Sequence, residues 1–254
     1  MSTVISTLTD DGILHIEFNR PEKKNAITVD MYAQASEAFE QANTNPKVRV
    51  IIISGRGDSF TAGNDLMDFI SHTSDGLNNG VVRFLNAVPN CTKPIIAAVQ
   101  GHAVGIGTTL LLHCDMVYAD TTAKFQLPFV KLALCPEFGS SFLLPRLIGQ
   151  RHAAALLYTG AAINAETAFQ YGLINQVTDD ALATAREQAQ IIAALPAAAI
   201  RLTKDLLTNT DKAQLMSIIE AEGKEFAECM KSPEAKEAMT AFMEKRQPDF
   251  SQFD

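Results

Sequence analysis

One carboxylate stands in the middle of an apolar stretch of the chain. Glu137 follows Pro136 in the segment LALCPEFGSSFLLPRL, residues 132–147. Burial among such neighbours disfavours the charged form and raises the pKa of the carboxyl group, which makes it a better proton carrier near neutral pH. An acid in the first turn of a helix, stabilised there by the helix dipole, would explain the same pattern without any chemistry. The stretch alone leaves both interpretations open.

Two glycine-bearing segments stand where a strand is predicted to lead into a helix. They are FTAGNDL, residues 60–66, and AVGIGTTLLL, residues 103–112. The first backbone N–H groups of a helix have no intrahelical partner, and glycine lets a ligand approach the backbone closely. Two such segments facing each other would direct two N–H groups at one oxygen atom, as a developing oxyanion requires. Structural turns also use such glycines, and neither segment has the spacing of a dinucleotide or phosphate loop.

The elements around these segments predict an α/β core. A hairpin with an Asp-Gly turn is predicted over residues 4–19, and a helix capped by Thr28 follows it. Short apolar runs at residues 48–55 and 93–101 predict buried strands. Strands that alternate with helices in this way are typical of an α/β fold.

The predicted secondary structure changes from mixed strands and helices to mainly helices towards the C-terminal part of the chain. A polar stretch at residues 71–80 is predicted to be mobile, and from about residue 139 the apolar positions follow helical spacing. We therefore expect a core over residues 1–195 and a C-terminal helical subdomain over residues 196–254. Helices of this amphipathicity need a partner surface, so self-association is expected.

Composition and charge exclude several classes of function. A net charge of −8 over 254 residues disfavours a nucleic-acid binder or a protein that adheres to anionic membranes. The four cysteines lack the spacing of a metal or redox site, so no metal is predicted. No signal peptide and no apolar run long enough to span a membrane are visible, and a cytoplasmic location is expected.

Four segments, in order along nearly the whole chain, resemble the crotonase, or enoyl-CoA hydratase/isomerase, superfamily. They are FNRPEKKNAIT, SFTAGNDLMDF, GHAVGIGTTLLLHCDMVYA and AFMEKRQPDF. The resemblance implies a crotonase-like spiral of ββα turns with a C-terminal helical oligomerisation subdomain, assembled as a homotrimer or a dimer of trimers. It implies an acyl-CoA thioester substrate of fatty acid metabolism and no cofactor, since coenzyme A is part of the substrate. It also implies that the backbone N–H groups of Asn64 and Ile106 form an oxyanion hole.

The same resemblance bears on the reaction. Hydratases of the superfamily use two glutamates, and this chain has Thr109 and Phe129 at those positions. Glu137 instead matches the single catalytic acid of the peroxisomal-type Δ3,Δ2-enoyl-CoA isomerases, although Phe138 replaces their usual glycine. The resemblance therefore implies an isomerase that moves a Δ3 double bond to Δ2 through a dienolate, with Glu137 as the only proton shuttle. The alternatives are a hydratase or another crotonase thioester reaction, and a non-catalytic acyl-CoA-binding protein.

Further residues are implied as contacts of the substrate. Lys24, in a basic stretch with Arg20 and Lys23, matches a CoA contact, although such runs are often only solvated. Phe242 and Lys245 match a stretch that often reaches the CoA of a neighbouring subunit, and they would alternatively anchor a helix end. The other implied contacts are Ala26, Ala62, Asn64, Asp65, Leu66, Gly107 and Pro136.

Overall fold

The structure, a computed structural model, describes residues 2–68 and 79–253. The strands are β1 (Val4–Leu8), β2 (Ile13–Phe18), β3 (Val50–Gly55), β4 (Ile95–Val99), β5 (His102–Val104), β6 (Met116–Asp120), β7 (Lys124–Gln126), β8 (Ala162–Asn164) and β9 (Gln176–Thr178). The predicted mobile stretch falls outside the described residues except for positions 79 and 80, which begin a helix.

The helices occupy the connections and most of the C-terminal third of the chain. They are α1 (Val29–Thr44), α2 (Asn79–Ala87), α3 (Ile106–Thr109), α4 (Ser140–Ile148), α5 (Gln150–Thr159), α6 (Ala165–Tyr171), α7 (Ala181–Ala193), α8 (Ala197–Thr208), α9 (Lys212–Cys229) and α10 (Pro233–Glu244). The predicted cap of α1 is confirmed, because the Thr28 side chain accepts a hydrogen bond from Met31 N–H over 3.2 Å.

A six-stranded sheet of order β1-β2-β3-β4-β6-β9 forms the larger layer of the molecule. The predicted hairpin is confirmed, since β1 pairs antiparallel with β2, and the other neighbours pair in parallel. Every residue of β3 and β4 is buried. Their continuous apolar runs are what parallel strands covered on both faces require.

The two faces of this sheet pack against different helices. Because side chains alternate along a strand, Ile51 and Ile53 join the main core while Val50 and Ile52 face the opposite side. Helix α7 covers that opposite side with a stripe of alanines four residues apart. These are Ala181, Ala185, Ala189 and Ala193.

A second, three-stranded sheet of order β5-β7-β8 leads to the candidate site. Strand β5 runs through Gly105 into α3, and Thr61 of the first glycine segment forms a bridge with β5. Thr61 N–H donates to the His102 carbonyl over 2.8 Å, and Val104 N–H donates to the Thr61 carbonyl over 3.1 Å. These bonds place the two glycine segments side by side.

Helices α8 to α10 follow Pro196, the residue that precedes α8. Lys204 on α8 ties them to the sheet layer, because its Nζ lies 2.7 Å from Asp115 Oδ2 and 2.9 Å from the Lys93 carbonyl. Helix α9 adds Ile219 and Phe226 to the main core. The division into units at residue 195 stays a prediction. Among the described residues, no helix combines the length and the apolar character needed to cross a lipid bilayer.

Candidate active site

A cavity of about 560 Å³ opens beside the two glycine segments. One wall comes from the segment around Asn64, a second from the start of α3 at Ile106, and a third from α9 and α10. Eight of the residues implied by the resemblance line it. They are Ala26, Ala62, Asn64, Asp65, Leu66, Ile106, Glu137 and Phe242.

Glu137 lies on the wall of this cavity. Its side chain stays partly accessible from the cavity, although protein atoms surround it closely. Thr109 Oγ1, on α3, donates a hydrogen bond to Glu137 Oε1 over 2.6 Å. A carboxyl group that carries protons needs access to a ligand and shelter from bulk water. Glu137 has both.

Burial raises the pKa of Glu137 to about 8. Desolvation of the charged form is the first cause, the Thr109 hydrogen bond opposes it, and the negative charge of Glu222 reinforces it. A carboxyl group with this pKa can exchange a proton in either direction near neutral pH. The pKa of Glu137 is thus shifted in the direction that the first of the two interpretations requires.

The backbone N–H groups of Asn64 and Ile106 are the two amides implied as oxyanion donors. The groups on either side of Asn64 bond to Ile27, since Ile27 N–H donates to the Gly63 carbonyl and Asp65 N–H donates to the Ile27 carbonyl. Ile106 begins α3, where N–H groups lack intrahelical partners. Within residues 2–68 and 79–253, neither amide has a hydrogen-bond acceptor.

Gly63 allows the close approach that brings the two segments together. Its φ is +89°, and a Cβ atom at this position would lie 2.7 Å from the Val104 carbonyl oxygen. A side chain would therefore force the backbone of the first segment away from β5, and glycine is required here for both conformation and space.

A buried tyrosine holds the Asn64 side chain. Tyr32, on α1, donates its hydroxyl hydrogen to Asn64 Oδ1 over 2.5 Å. Burial first, and the charge of Glu137 second, raise the pKa of the Tyr32 hydroxyl well above its ordinary value, so it stays a donor. A small cavity of about 20 Å³ lies between Tyr32, Asn64 and Glu137. This hydrogen bond fixes the side chain of a residue that lines the larger cavity.

The residue after Glu137 is held by a histidine. His113 Nε2 lies 2.8 Å from the Phe138 carbonyl oxygen, and the two rings stack with centroids 3.9 Å apart. Burial lowers the pKa of His113 to about 4, so the imidazole is neutral and its Nε2–H donates to the carbonyl. His113 therefore holds the backbone of the Glu137 segment through a hydrogen bond and is uncharged.

Four of the implied contact residues do not line the cavity. Lys24 is left-handed and its Nζ lies 3.2 Å from His102 Nε2, while Gly107 packs against Thr61 inside the fold. Lys245 is the left-handed residue that ends α10. Pro136 is the fourth, and its neighbour Glu137 faces the cavity instead.

Three other basic residues line the cavity. They are Lys23, Lys131 and Arg246. Lys23 and Arg246 are direct neighbours of the predicted Lys24 and Lys245, so the sequence located the basic segments but not the residue in each that faces the cavity. Arg20 is engaged elsewhere, because its Nη1 lies 2.7 Å from Asp65 Oδ2. Asp65 thereby braces the first segment.

Comparison with known proteins agrees with this geometry. The family model for enoyl-CoA hydratase/isomerase matches residues 9–253. The chain belongs to this family, whose members act on acyl-CoA thioesters. A crystal structure of an enoyl-CoA hydratase/isomerase from Pseudoalteromonas atlantica superposes with a TM-score of 0.94 at 38% identity, covering 98% of this chain and 100% of that one. The predicted crotonase-like α/β fold with C-terminal helices is confirmed.

Curated members of the enoyl-CoA hydratase/isomerase family differ in the reaction that their names state. The crotonyl-CoA hydratase of Syntrophomonas wolfei is 36% identical over 94% of this chain and 94% of its own length. The enoyl-CoA delta isomerase 2 of Rattus norvegicus is 35% identical over 86% of this chain and 58% of its own length. Membership of the enoyl-CoA hydratase/isomerase family therefore leaves the reaction to be argued from the site.

The sequence did not predict several residues that shape the cavity or hold its walls in place. Tyr32, His113 and Glu222 reach the site from elements that are distant in the chain, and no local pattern marks them. The sequence marks Thr109 only as a position without the carboxyl group that hydratases of the superfamily have there. Its hydroxyl spans 28 positions to reach Glu137, a contact that only the fold reveals.

Proposed function

We propose that the protein is a Δ3,Δ2-enoyl-CoA isomerase that acts on acyl-CoA thioesters of fatty acid metabolism. The observation that carries this proposal is Glu137, a carboxyl group with a raised pKa on the wall of a cavity that is also lined by Asn64 and Ile106, whose backbone amides have no acceptor within the described residues. The two positions where hydratases of the superfamily carry glutamates hold Thr109, which donates to Glu137, and the buried Phe129. This arrangement supports a reaction that needs one acid.

The reaction follows from one carboxylate that faces two carbons of the substrate. In its charged form Glu137 takes the proton from C2 of the 3-enoyl thioester, and the electron pair delocalises over C4, C3, C2 and the thioester carbonyl. The protonated Glu137 then returns the proton to C4, and the double bond remains between C2 and C3. Proton and electrons balance, and no water enters the products.

Negative charge develops on the thioester oxygen during this sequence. The N–H groups of Asn64 and Ile106 are the donors that would bind this oxygen, and Tyr32 holds Asn64 through its side chain. Such donors typically contribute about 10²- to 10³-fold in rate each. The apolar lining that raises the pKa of Glu137 also strengthens these hydrogen bonds by excluding water.

The rim of the cavity suits the polyanionic part of the substrate. Lys23, Lys131 and Arg246 line it, and Glu237 and Glu244 already pair with Arg246. We therefore assign Lys23 and Lys131 as the cations that meet the phosphates of coenzyme A. The exposed Phe242 provides an apolar surface beside them.

The test is a spectroscopic assay with 3-enoyl-CoA as the substrate. The wild type should produce the conjugated 2-enoyl-CoA, which absorbs in the ultraviolet. Glu137→Gln should abolish turnover, because an amide cannot carry the proton, while titration calorimetry should show that a saturated acyl-CoA still binds.

The wild type and Glu137→Gln together also distinguish the proposed isomerisation from the other reactions of the family. Hydration of 2-enoyl-CoA by the wild type, with the same rate in Glu137→Gln, would contradict the proposal and favour a hydratase. Binding of acyl-CoA by the wild type without any turnover would indicate a non-catalytic member of the family.

A further inference from the structure

The turn after Glu137 has a backbone conformation that its sequence does not favour. Ser140 N–H donates to the Glu137 carbonyl over 3.1 Å and closes a four-residue turn. Both central residues are left-handed, Phe138 with a φ of 59° and Gly139 with a φ of 73°. In this region the Cβ atom of Phe138 lies too close to the following carbonyl oxygen. Contacts from other elements must therefore hold the turn.

Glu222, on α9, supplies such contacts. Its carboxylate accepts hydrogen bonds from Gly139 N–H over 2.6 Å, from Ser141 N–H over 2.9 Å and from the Ser141 hydroxyl. Gly139 is the residue that precedes α4, and it has no side chain that could accept these bonds. Glu222 therefore caps α4 from an element more than 80 residues away in the chain.

The charge of Glu222 is not neutralised by an ion pair in the part of the chain that the structure describes. Only 8% of the residue is exposed, and no lysine, arginine or histidine lies within salt-bridge distance. A buried carboxylate of this kind needs hydrogen-bond donors to be tolerated. The two amides at the positive end of the α4 dipole meet that need while leaving a net negative charge beside the site.

We propose that Glu222 is a positioning residue for Glu137, because it fixes the turn that carries the base and so sets where the base lies against the substrate. This inference rests on the function proposed above. The charge of Glu222 also helps to raise the pKa of Glu137, although burial is the larger cause. Glu222 thus acts on both the location and the proton affinity of the base.

Other ionisable groups line the cavities beside Glu137 or lie against the turn that follows it and against Glu222. They are Lys23, Tyr32, Asp65, His113, Lys131, Cys135, Glu222 and Arg246. Tyr32 and Cys135 have raised pKa values and His113 a lowered one, so all three are neutral near pH 7. Asp65 is paired with Arg20. Glu222 is the charged group that affects the pKa of Glu137.

The test compares Glu222→Gln with Glu225→Gln in the full chain. Both substitutions remove a carboxylate from α9, but Glu225 is exposed. Glutamine keeps one acceptor oxygen, turns an NH₂ group towards the second donor and removes the charge. E222Q should lower kcat by about tenfold or more and change KM by less than about twofold, because a displaced base slows chemistry more than binding. The midpoint of its kcat/KM profile should move to lower pH, and E225Q should match the wild type throughout.

Glu222→Asp separates position from charge. Aspartate keeps the negative charge but is one methylene too short to hold both amides. E222D should lower kcat as E222Q does and keep the midpoint of the wild type. If E222Q does not fold, E222D alone tests whether Glu222 fixes the position of Glu137. A kcat equal to that of the wild type in a folded E222D or E222Q would overturn the proposal.

A titration without turnover distinguishes this proposal from the proposed function. The carboxyl carbon of Glu137 is labelled with ¹³C, assigned with Glu137→Gln, and titrated by NMR in the wild type and in E222Q. A lower midpoint in E222Q supports the coupling even if the wild type does not isomerise 3-enoyl-CoA. An unchanged midpoint together with an active wild type overturns the coupling and leaves the proposed function standing.

Discussion

At the scale of single residues, the proton affinity of Glu137 is a balance between its apolar surroundings and one hydroxyl group. Burial and, to a smaller extent, the charge of Glu222 raise the pKa, the Thr109 hydrogen bond opposes them, and the result is a pKa of about 8. At pH 7 most molecules therefore carry the protonated acid and a minority carry the charged base. We expect kcat/KM of the wild type to rise with pH through about pH 8 and to level off above it.

Thr109→Val tests this balance. The hydroxyl favours the charged carboxylate, so its loss should raise the pKa of Glu137 and move the midpoint of kcat/KM to higher pH. A hydrogen bond to a charged group is worth about 1.5–3 kcal/mol, so kcat/KM at pH 7 should fall by about 10- to 100-fold and recover above the new midpoint. Thr109→Ser keeps the hydroxyl and should retain the profile of the wild type. A T109V midpoint equal to that of the wild type would contradict the role of this bond.

The residues of the site differ in how visible they are in the sequence. Glu137 stands out in the sequence because its neighbours in the chain are apolar, which predicts a raised pKa, although the burial that produces it is tertiary. The hydrogen bonds of Tyr32 and Glu222 join positions 32 residues and more than 80 residues apart. Neither spacing follows from a local periodicity, so these contacts could not be predicted from one sequence.

At the scale of elements, the site depends on how closely the segment of Gly63 lies against β5. Two elements meet there without any intervening side chain, since a Cβ atom at position 63 would lie only 2.7 Å from the Val104 carbonyl oxygen and would clash with it. Asn64 follows Gly63 directly, so its amide moves with this contact. Its position relative to Ile106 is therefore set by a contact between two backbones.

Gly63→Ala should disturb this contact. The added methyl group must push the first segment away from β5, which should displace the Asn64 amide and lower kcat/KM by about 10²- to 10³-fold, as the loss of one oxyanion donor does. Gly149→Ala is the control, because Gly149 has a φ of +83° and nothing within 4 Å of the added Cβ. It should lose some stability in thermal unfolding but little activity. Full activity of G63A would count against the role of the Asn64 amide.

Elements with a clear local pattern were predicted, as were the short strands β6 and β7, but three other short strands were not. The hairpin, α1, β3, β4 and helices α7 to α9 follow from periodicity and turn residues that lie within each segment. Strands β5, β8 and β9 have three residues each, which is too short for an alternation to be recognised. Strand β5 is also the element that orders the second glycine segment, so the sequence predicted the longer strand before that segment but not the short strand that holds it.

At the scale of the whole molecule, an apolar surface on α8 remains uncovered in the single chain. Its leucines are largely exposed, with 59% of Leu202, 70% of Leu206 and 78% of Leu207 accessible. Apolar surface of this kind indicates a contact with another protein chain. The homotrimer, or dimer of trimers, stays a prediction, and so does the cytoplasmic location.

The triple substitution of Leu202, Leu206 and Leu207 by serine tests the assembly. It should shift the mass measured by sedimentation equilibrium from that of an oligomer towards that of one chain, because the apolar surface is lost. Leu147→Ser changes another leucine that is 48% exposed, on α4, and should leave the mass unchanged. A monomeric wild type at micromolar concentration would refute the predicted assembly.

One wall of the cavity consists of residues that the ribosome adds near the end of translation. Phe226, Ala238, Phe242 and Pro248 close the space that Ala26 and Asn64 open. While a ribosome is still translating the region of α9 and α10, the emerging chain can already order its sheets, since folding during translation starts from the N-terminal part. It has no complete pocket at that stage. A nascent chain is therefore expected to be inert towards its substrate until translation has passed residue 248.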